Sequence, residues 1–166
     1  MFRSIDDFLR SWAYETEATL KVFRNLTDGS LSQQATPETR TLGRIAWHIV
    51  QTLPEMGGRT GLTIGGPSEE DPVPSNAAEL TAQLEAASES LASEIRSRWS
   101  DAELDVEDDM YGEAWPRGQT LAALVNHQIH HRGQMTVLMR MAGLKVPGVY
   151  GPSMEEWADF GMPAPE

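Results

Sequence analysis

Four stretches of the chain carry apolar residues three or four positions apart, and no stretch alternates with the period of two that a half-buried strand would show. This periodicity constrains the fold more than any other feature of the sequence. The first stretch, about Ser4 to Leu26, places Ile5, Phe8, Leu9, Trp12, Leu20 and Phe23 on one face. Ser4 with Asp7 three residues later resembles a capping pair. The second stretch begins at Thr36, a capping residue, with Pro37 suited to the first helical position, and carries Leu42, Ile45, Ala46, Ile49, Leu53 and Met56. Pro54 should kink or begin to end it, and Gly57-Gly58 should complete the stop. The third stretch, about Asn76 to Trp99, repeats Leu80, Leu84, Ala87, Leu91 and Ile95, with Asn76 and Glu79 as its cap pair. The fourth, about Thr120 to Ala142, carries Leu121, Leu124, Val125, Met135, Leu138 and Met139 and ends at Gly143.

Four such helices and nothing that reads as a strand predict an all-α protein, a four-helix bundle. With 166 residues and no internal repeat, one domain spanning 1–166 is expected. Two connectors exceed ordinary loop length, roughly Gly57 to Ser75 and Ser100 to Gln119, so each should cross the bundle or cover a site. The tail after Gly143, with Val149-Tyr150-Gly151-Pro152 and Trp157, reads as a packed extension.

Composition narrows the function. There are 13 Lys plus Arg against 25 Asp plus Glu, a formal net charge of −12. That balance argues against nucleic acid, which requires a dense basic patch, and against an anionic membrane surface. No apolar run reaches the roughly 20 residues of a membrane span, and the N-terminus lacks the apolar region of a signal peptide. A cytoplasmic protein is the expectation. The chain has 0 Cys, which excludes disulfides, thiolate metal ligands and a Cys nucleophile.

Chemistry concentrates in the 4 histidines, His48, His127, His130 and His131. His127 and His131 stand four apart and share the direction of Leu124, Met135 and Leu138, whereas His130 points about 100° away. Two imidazoles in an apolar stripe require partners. They could be paired with carboxylates or hydroxyls, act as an acid–base pair, or bind a metal, for which the i, i+4 spacing is a suitable bite. His48, at the edge of the second helix's apolar stripe, offers a third nitrogen. Three His ligands plus solvent would leave an open position, the pattern of catalytic sites. With nitrogen donors and no Cys, zinc or nickel is the natural occupant.

His127-Gln128-Ile129-His130-His131-Arg132-Gly133-Gln134 resembles the signature of the DinB/YfiT-like family of metal-dependent enzymes. So do Thr41-Leu42-Gly43-Arg44-Ile45-Ala46-Trp47-His48 and Arg140-Met141-Ala142-Gly143-Leu144-Lys145-Val146-Pro147. The likeness implies an up-down-down-up bundle with long crossover connections. It implies metal ligation by His48, His127 and His131, with His130 outside the ligand set, and it implies a homodimer. Characterised members of the broad superfamily are transferases and isomerases that use low-molecular-weight thiols. A thiol S-transferase or a metal-dependent hydrolase acting on a small molecule is therefore expected, with any thiol arriving as a cosubstrate. The rival readings are a non-catalytic metal- or ligand-binding bundle and a structural protein with paired core histidines.

Around the ligands, Gln134 is a candidate to orient a histidine or the substrate, though a Gln bonded to the neighbouring helix is the plainer expectation. Arg132, Arg44 and Glu55 read as surface charges. Trp47 and Trp115 read as core or dimer contacts rather than pocket lining, and Tyr111 as a candidate lid. The acidic run Asp101 to Asp109 reads as a solvated loop without calcium-loop spacing. Carried to the histidines, that connector would disfavour strongly anionic substrates.

Overall fold

A computed structural model describes residues 2–164. The chain is mostly helical. Its four long helices are α1 (Ile5–Phe23), α2 (Leu42–Arg59), α3 (Ala77–Arg98) and α4 (Arg117–Met141). Helices α1 and α2 each pack against both α3 and α4, around one continuous apolar core. Phe8, Phe23, Leu42, Ile49, Leu84, Leu91, Ile95 and Met135 are fully buried in it.

Two helix starts follow the sequence reading. The Ser4 hydroxyl accepts from the Asp7 amide at 3.1 Å. Asn76 Oδ1 accepts from the Glu79 amide at 2.7 Å, and Asn76 Nδ2 donates to Glu79 at 3.0 Å. These bonds satisfy amides that the first helical turn leaves without partners.

Helix α2 departs from expectation at both ends. Thr36-Pro37 makes a single turn, closed by the Thr39 amide to the Thr36 carbonyl at 3.0 Å. The helix starts only at Leu42, capped by Thr41. Residues 36–40 are exposed and offer no apolar face to bury, whereas Leu42 is fully buried. At the other end the helix runs through Pro54 and through Gly57-Gly58, to stop at Thr60 and Gly61 (φ +77°). Gly57 serves packing instead: a Cβ there would lie 2.7 Å from Ile64 Cγ1. The chain that follows therefore lies directly against the helix.

The all-α expectation is corrected by a small hairpin in the second long connector. Strand β1 (Glu107–Met110) pairs antiparallel with β2 (Glu113–Pro116). The two turn residues, Tyr111 (φ +61°) and Gly112 (φ +87°), both have positive φ, the geometry whose twist matches paired strands. A Tyr-Gly turn between four-residue strands is a weak signal, and the acidic residues around it obscure it. The hairpin packs on α2 and leads straight into α4.

Candidate metal centre

His48 lies near the middle of α2. His127 and His131 lie one turn apart on α4, which packs against α2. The structure brings the three together so that one nitrogen from each falls within 4.8 Å of the others. His48 Nε2 and His127 Nε2 are 3.0 Å apart. The rings meet edge to face, with centroids 4.4 to 4.9 Å apart. His130 is exposed on a different side of α4, as its position in the helical turn requires.

Burial is the leading cause of a lowered pKa at all three positions. His48 is held down to about 4, by burial first and then by the nearby charges of Arg40 and His131. His127 is held down to about 3, by burial and then by His131 and His48. His131 is lowered by burial, against the opposing effect of its bond to Gln134. All three imidazoles are therefore neutral at pH 7, with lone pairs available. His131 Nδ1 stands 2.7 Å from Gln134 Oε1. An amide oxygen only accepts, so Nδ1 carries the proton and Nε2 is left as the free donor atom. Gln134 thus acts on a histidine of its own helix and not on a neighbouring one.

The donor set fits a divalent ion. Nitrogens held at about 2.1 Å from one ion lie roughly 3.0–3.4 Å from each other; the His48–His127 pair already stands at 3.0 Å, within the 4.8 Å that spans the whole group. Among the described residues none of the three histidines bonds a carboxylate, which removes the carboxylate-paired version of a core-histidine reading. No fourth His, Asp or Glu among the described residues joins the group.

A cleft of about 780 Å³ opens onto His48 and His127. Arg44 and Glu55, read from sequence as surface charges, and Trp115, read as a core or dimer contact, line it together with Tyr111, the candidate lid residue. Arg44 donates to Gln51 at 2.9 Å, and Gln51 holds the Ser68 carbonyl at 2.6 Å, which ties the first long connector to α2. Trp47 is buried and donates to the Asp71 carbonyl at 3.0 Å. Tyr111 donates to Glu55 at 2.7 Å, and Glu55 also receives Arg59 at 2.6 Å. Burial and the Glu55 bond push the Tyr111 phenol up to about 12, so it remains a donor.

The second connector reaches this cleft through its aromatic residues, not its carboxylates. Asp108 pairs with Arg117 at 2.8 Å, Glu103 pairs with the same guanidinium, and Asp101 accepts from the Ile5 amide at 2.8 Å. Asp101, Glu103 and Asp108 thus fasten the connector to the first turns of α1 and α4, while Asp105 and Glu107 are exposed. None of this connector's carboxylates lines the cleft, whose acidic groups are instead Glu55 of α2 and Glu69 of the first long connector.

A buried polar network behind the centre was not legible beforehand. Arg132, read as a surface residue, is 3% exposed and pairs with Glu15 of α1 at 2.7 Å. Arg132 also donates to Thr19 and to the Glu15 carbonyl, both at 3.1 Å. Gln128 donates to Thr19 at 2.8 Å. Tyr150 from the tail donates to Glu15 at 2.8 Å and accepts from Arg132 at 2.7 Å. Gln128 and Arg132 repeat the i, i+4 spacing of the histidine pair, one position on. One pair therefore faces α2 and the other α1. The gap in the apolar stripe of the first helix around Glu15 and Thr19 was the available signal.

Residues 1–166 match the model of the DinB family. An uncharacterized protein of Bacillus subtilis (strain 168), YrdA, is 46% identical over 166 residues, which covers 100% of this chain and 99% of that protein. The crystal structure of a DinB-like protein from Bacillus cereus ATCC 10987 superposes with a TM-score of 0.87 at 46% identity, covering 90% of this chain and 100% of that one. A DinB-like protein of Bacillus subtilis, YjoA, shares the fold at a TM-score of 0.68 and 14% identity, over 88% of this chain and 99% of its own.

Proposed function

The chain belongs to the DinB family, and from that premise we propose that it is a metal-dependent enzyme acting on a small molecule, with His48, His127 and His131 as ligands of one divalent ion. The observation that carries this reading is the convergence of three neutral imidazole nitrogens, with no fourth His, Asp or Glu among the described residues, at the wall of an open cleft. Zinc or nickel suits an all-nitrogen donor set. Such an ion supplies Lewis acidity, at which a thiol or a water gives up its proton near neutral pH.

The chain's own residues do the rest. Burial keeps the histidines unprotonated. Gln134 fixes which nitrogen of His131 faces the site. Tyr111 and Trp115 narrow the cleft around a substrate. With 0 Cys, any thiol nucleophile is a cosubstrate. A low-molecular-weight-thiol S-transferase and a metal-dependent hydrolase both use this arrangement. The open cleft weighs against the non-catalytic alternative, a closed metal- or ligand-binding module.

The ring of contacts α1–α3–α2–α4 supports an up-down-down-up four-helix bundle. Exposed Val137 and Met141 on α4 support a homodimer contact. No described helix is long and apolar enough to cross a membrane, which is compatible with a cytoplasmic enzyme.

The test is metal analysis of protein purified without an affinity tag. We expect stoichiometric metal in the wild type and its loss in a His127→Ala, His131→Ala double variant. Retention of stoichiometric metal by the double variant would refute the ligand assignment. A screen of electrophiles with several low-molecular-weight thiols then separates transfer from hydrolysis.

A further inference from the structure

Arg40 stands where two cavities meet at the histidines. It lines the 780 Å³ cleft together with His48 and His127, and it also lines a second hollow of about 520 Å³ that holds His131 and Gln134. Its charge contributes to lowering the pKa of all three imidazoles. Among the described residues Arg40 makes no hydrogen bond or ion pair. It immediately precedes Thr41, the cap of α2, so it also lies at the positive end of that helix.

Arg44, in the first turn of α2, lines the same cleft and engages only the neutral Gln51. The carboxylates of the cleft do not answer these two charges. Glu55 is satisfied by Arg59 and Tyr111. Glu69 pairs with neither arginine. Two guanidinium groups thus face a concave surface without a counter-ion, and a planar guanidinium is shaped to grip an oxyanion through parallel hydrogen bonds. The same cleft is also lined by the rings of Tyr111 and Trp115, 6.4 Å apart and edge to face.

We infer that Arg40 and Arg44 clamp the carboxylate of a small molecule whose flat body lies against Tyr111 and Trp115. A monoanion fits better than a phosphoryl dianion, because Glu55 and Glu69 share the cleft and the chain as a whole carries −12. The inference rests on the proposed function only in directing the ligand's other groups toward the three histidines. The clamp itself is a property of the arginines.

The experiment measures benzoate binding to metal-free protein at low salt, by calorimetry and by tryptophan fluorescence, with benzamide and inorganic phosphate as comparison probes. We expect benzoate to bind about tenfold more tightly than benzamide, and phosphate to bind more weakly than benzoate. Arg40→Gln and Arg44→Gln should each weaken benzoate by about tenfold and leave benzamide unchanged. Arg40 is exposed and makes no bond among the described residues, so the melt of Arg40→Gln should match the wild type and that variant carries the test, whereas Arg44→Gln also loses a bond to buried Gln51. Absence of benzoate binding, an affinity unchanged in Arg40→Gln, or tighter binding of phosphate would each overturn the inference. Metal content measured on the same samples separates the two proposals: loss of the metal reading with benzoate binding intact leaves the clamp standing, and the reverse outcome removes the clamp alone.

Discussion

Glu15→Ala should destabilise the protein far more than a typical substitution, because it isolates a buried charge. The Arg132 guanidinium is 3% exposed. One of its nitrogens bonds the Glu15 carboxylate at 2.7 Å and the Tyr150 hydroxyl at 2.7 Å, and another bonds the Glu15 carbonyl and the Thr19 hydroxyl at 3.1 Å. Removing the carboxylate leaves the cation with neutral acceptors only, in a place water does not reach. Breaking a buried pair in this way costs about 3–5 kcal/mol. Against a total stability of about 5–15 kcal/mol that is a large share. At about 2–4 °C per kcal/mol for a domain of this size, Tm should fall by roughly 6–20 °C. Urea unfolding followed by circular dichroism gives the free energy directly. The decisive comparison is the double variant Glu15→Leu, Arg132→Met, which removes both charges and should be more stable than Glu15→Ala alone. Tyr150→Phe, which removes one neutral link between tail and network, should cost only about 1–2 kcal/mol. A loss below about 1 kcal/mol in Glu15→Ala, or strictly additive effects in the double variant, would show that the pair is not electrostatically isolated as described.

The other expectations concern the centre and its surroundings. Gln134→Leu should leave the fold intact but weaken metal binding by about tenfold to a hundredfold, read by competition with a chelator, because His131 loses the partner that fixes its tautomer. The metal-free protein should lose stability as pH falls from about 6.5, the value for an unfolded histidine, toward the values of about 4 for His48 and about 3 for His127. In that window the unfolded chain binds more protons than the folded one, so acid favours unfolding. A His48→Asn, His127→Asn variant should show a flatter urea midpoint between pH 6.5 and 5, and an unchanged slope would contradict the assigned burial. Gly112→Val places a β-branched residue at φ +87° and should cost at least about 1 kcal/mol, with the loss seen first as faster amide exchange in the hairpin strands.

Helix number and the inward direction of His127 and His131 were legible because helical periodicity is a local property, carried by residues three and four apart. Capping at Ser4 and Asn76 was legible for the same reason, since a cap and its amide are three residues apart. The limits of α2 were not. Pro37 and Gly57 have the local chemistry of a start and a stop. The burial of Leu42, and the close approach of Ile64 to Gly57, depend on segments that meet only in the folded chain. The Tyr111-Gly112 turn was hidden for a related reason. Four-residue strands carry too little periodicity to stand out from an acidic run.

The sequence by itself determined the helical class, the family, and the three histidines as candidates for one site. Spacing along a helix fixes which side chains share a face, and the motifs containing His48, His127 and His131 are specific enough to identify relatives. Only the tertiary structure decided what surrounds those histidines. It turned Arg132 inward onto Glu15, tied Asp101 of the second connector to α1 while bringing that connector's aromatic rings to the cleft, and, among the described residues, left Arg40 and Arg44 facing that cleft without a counter-ion. Each of these depends on contacts between residues distant in sequence. Whether a charge is paired or free is a property of such contacts, and composition and periodicity do not contain it.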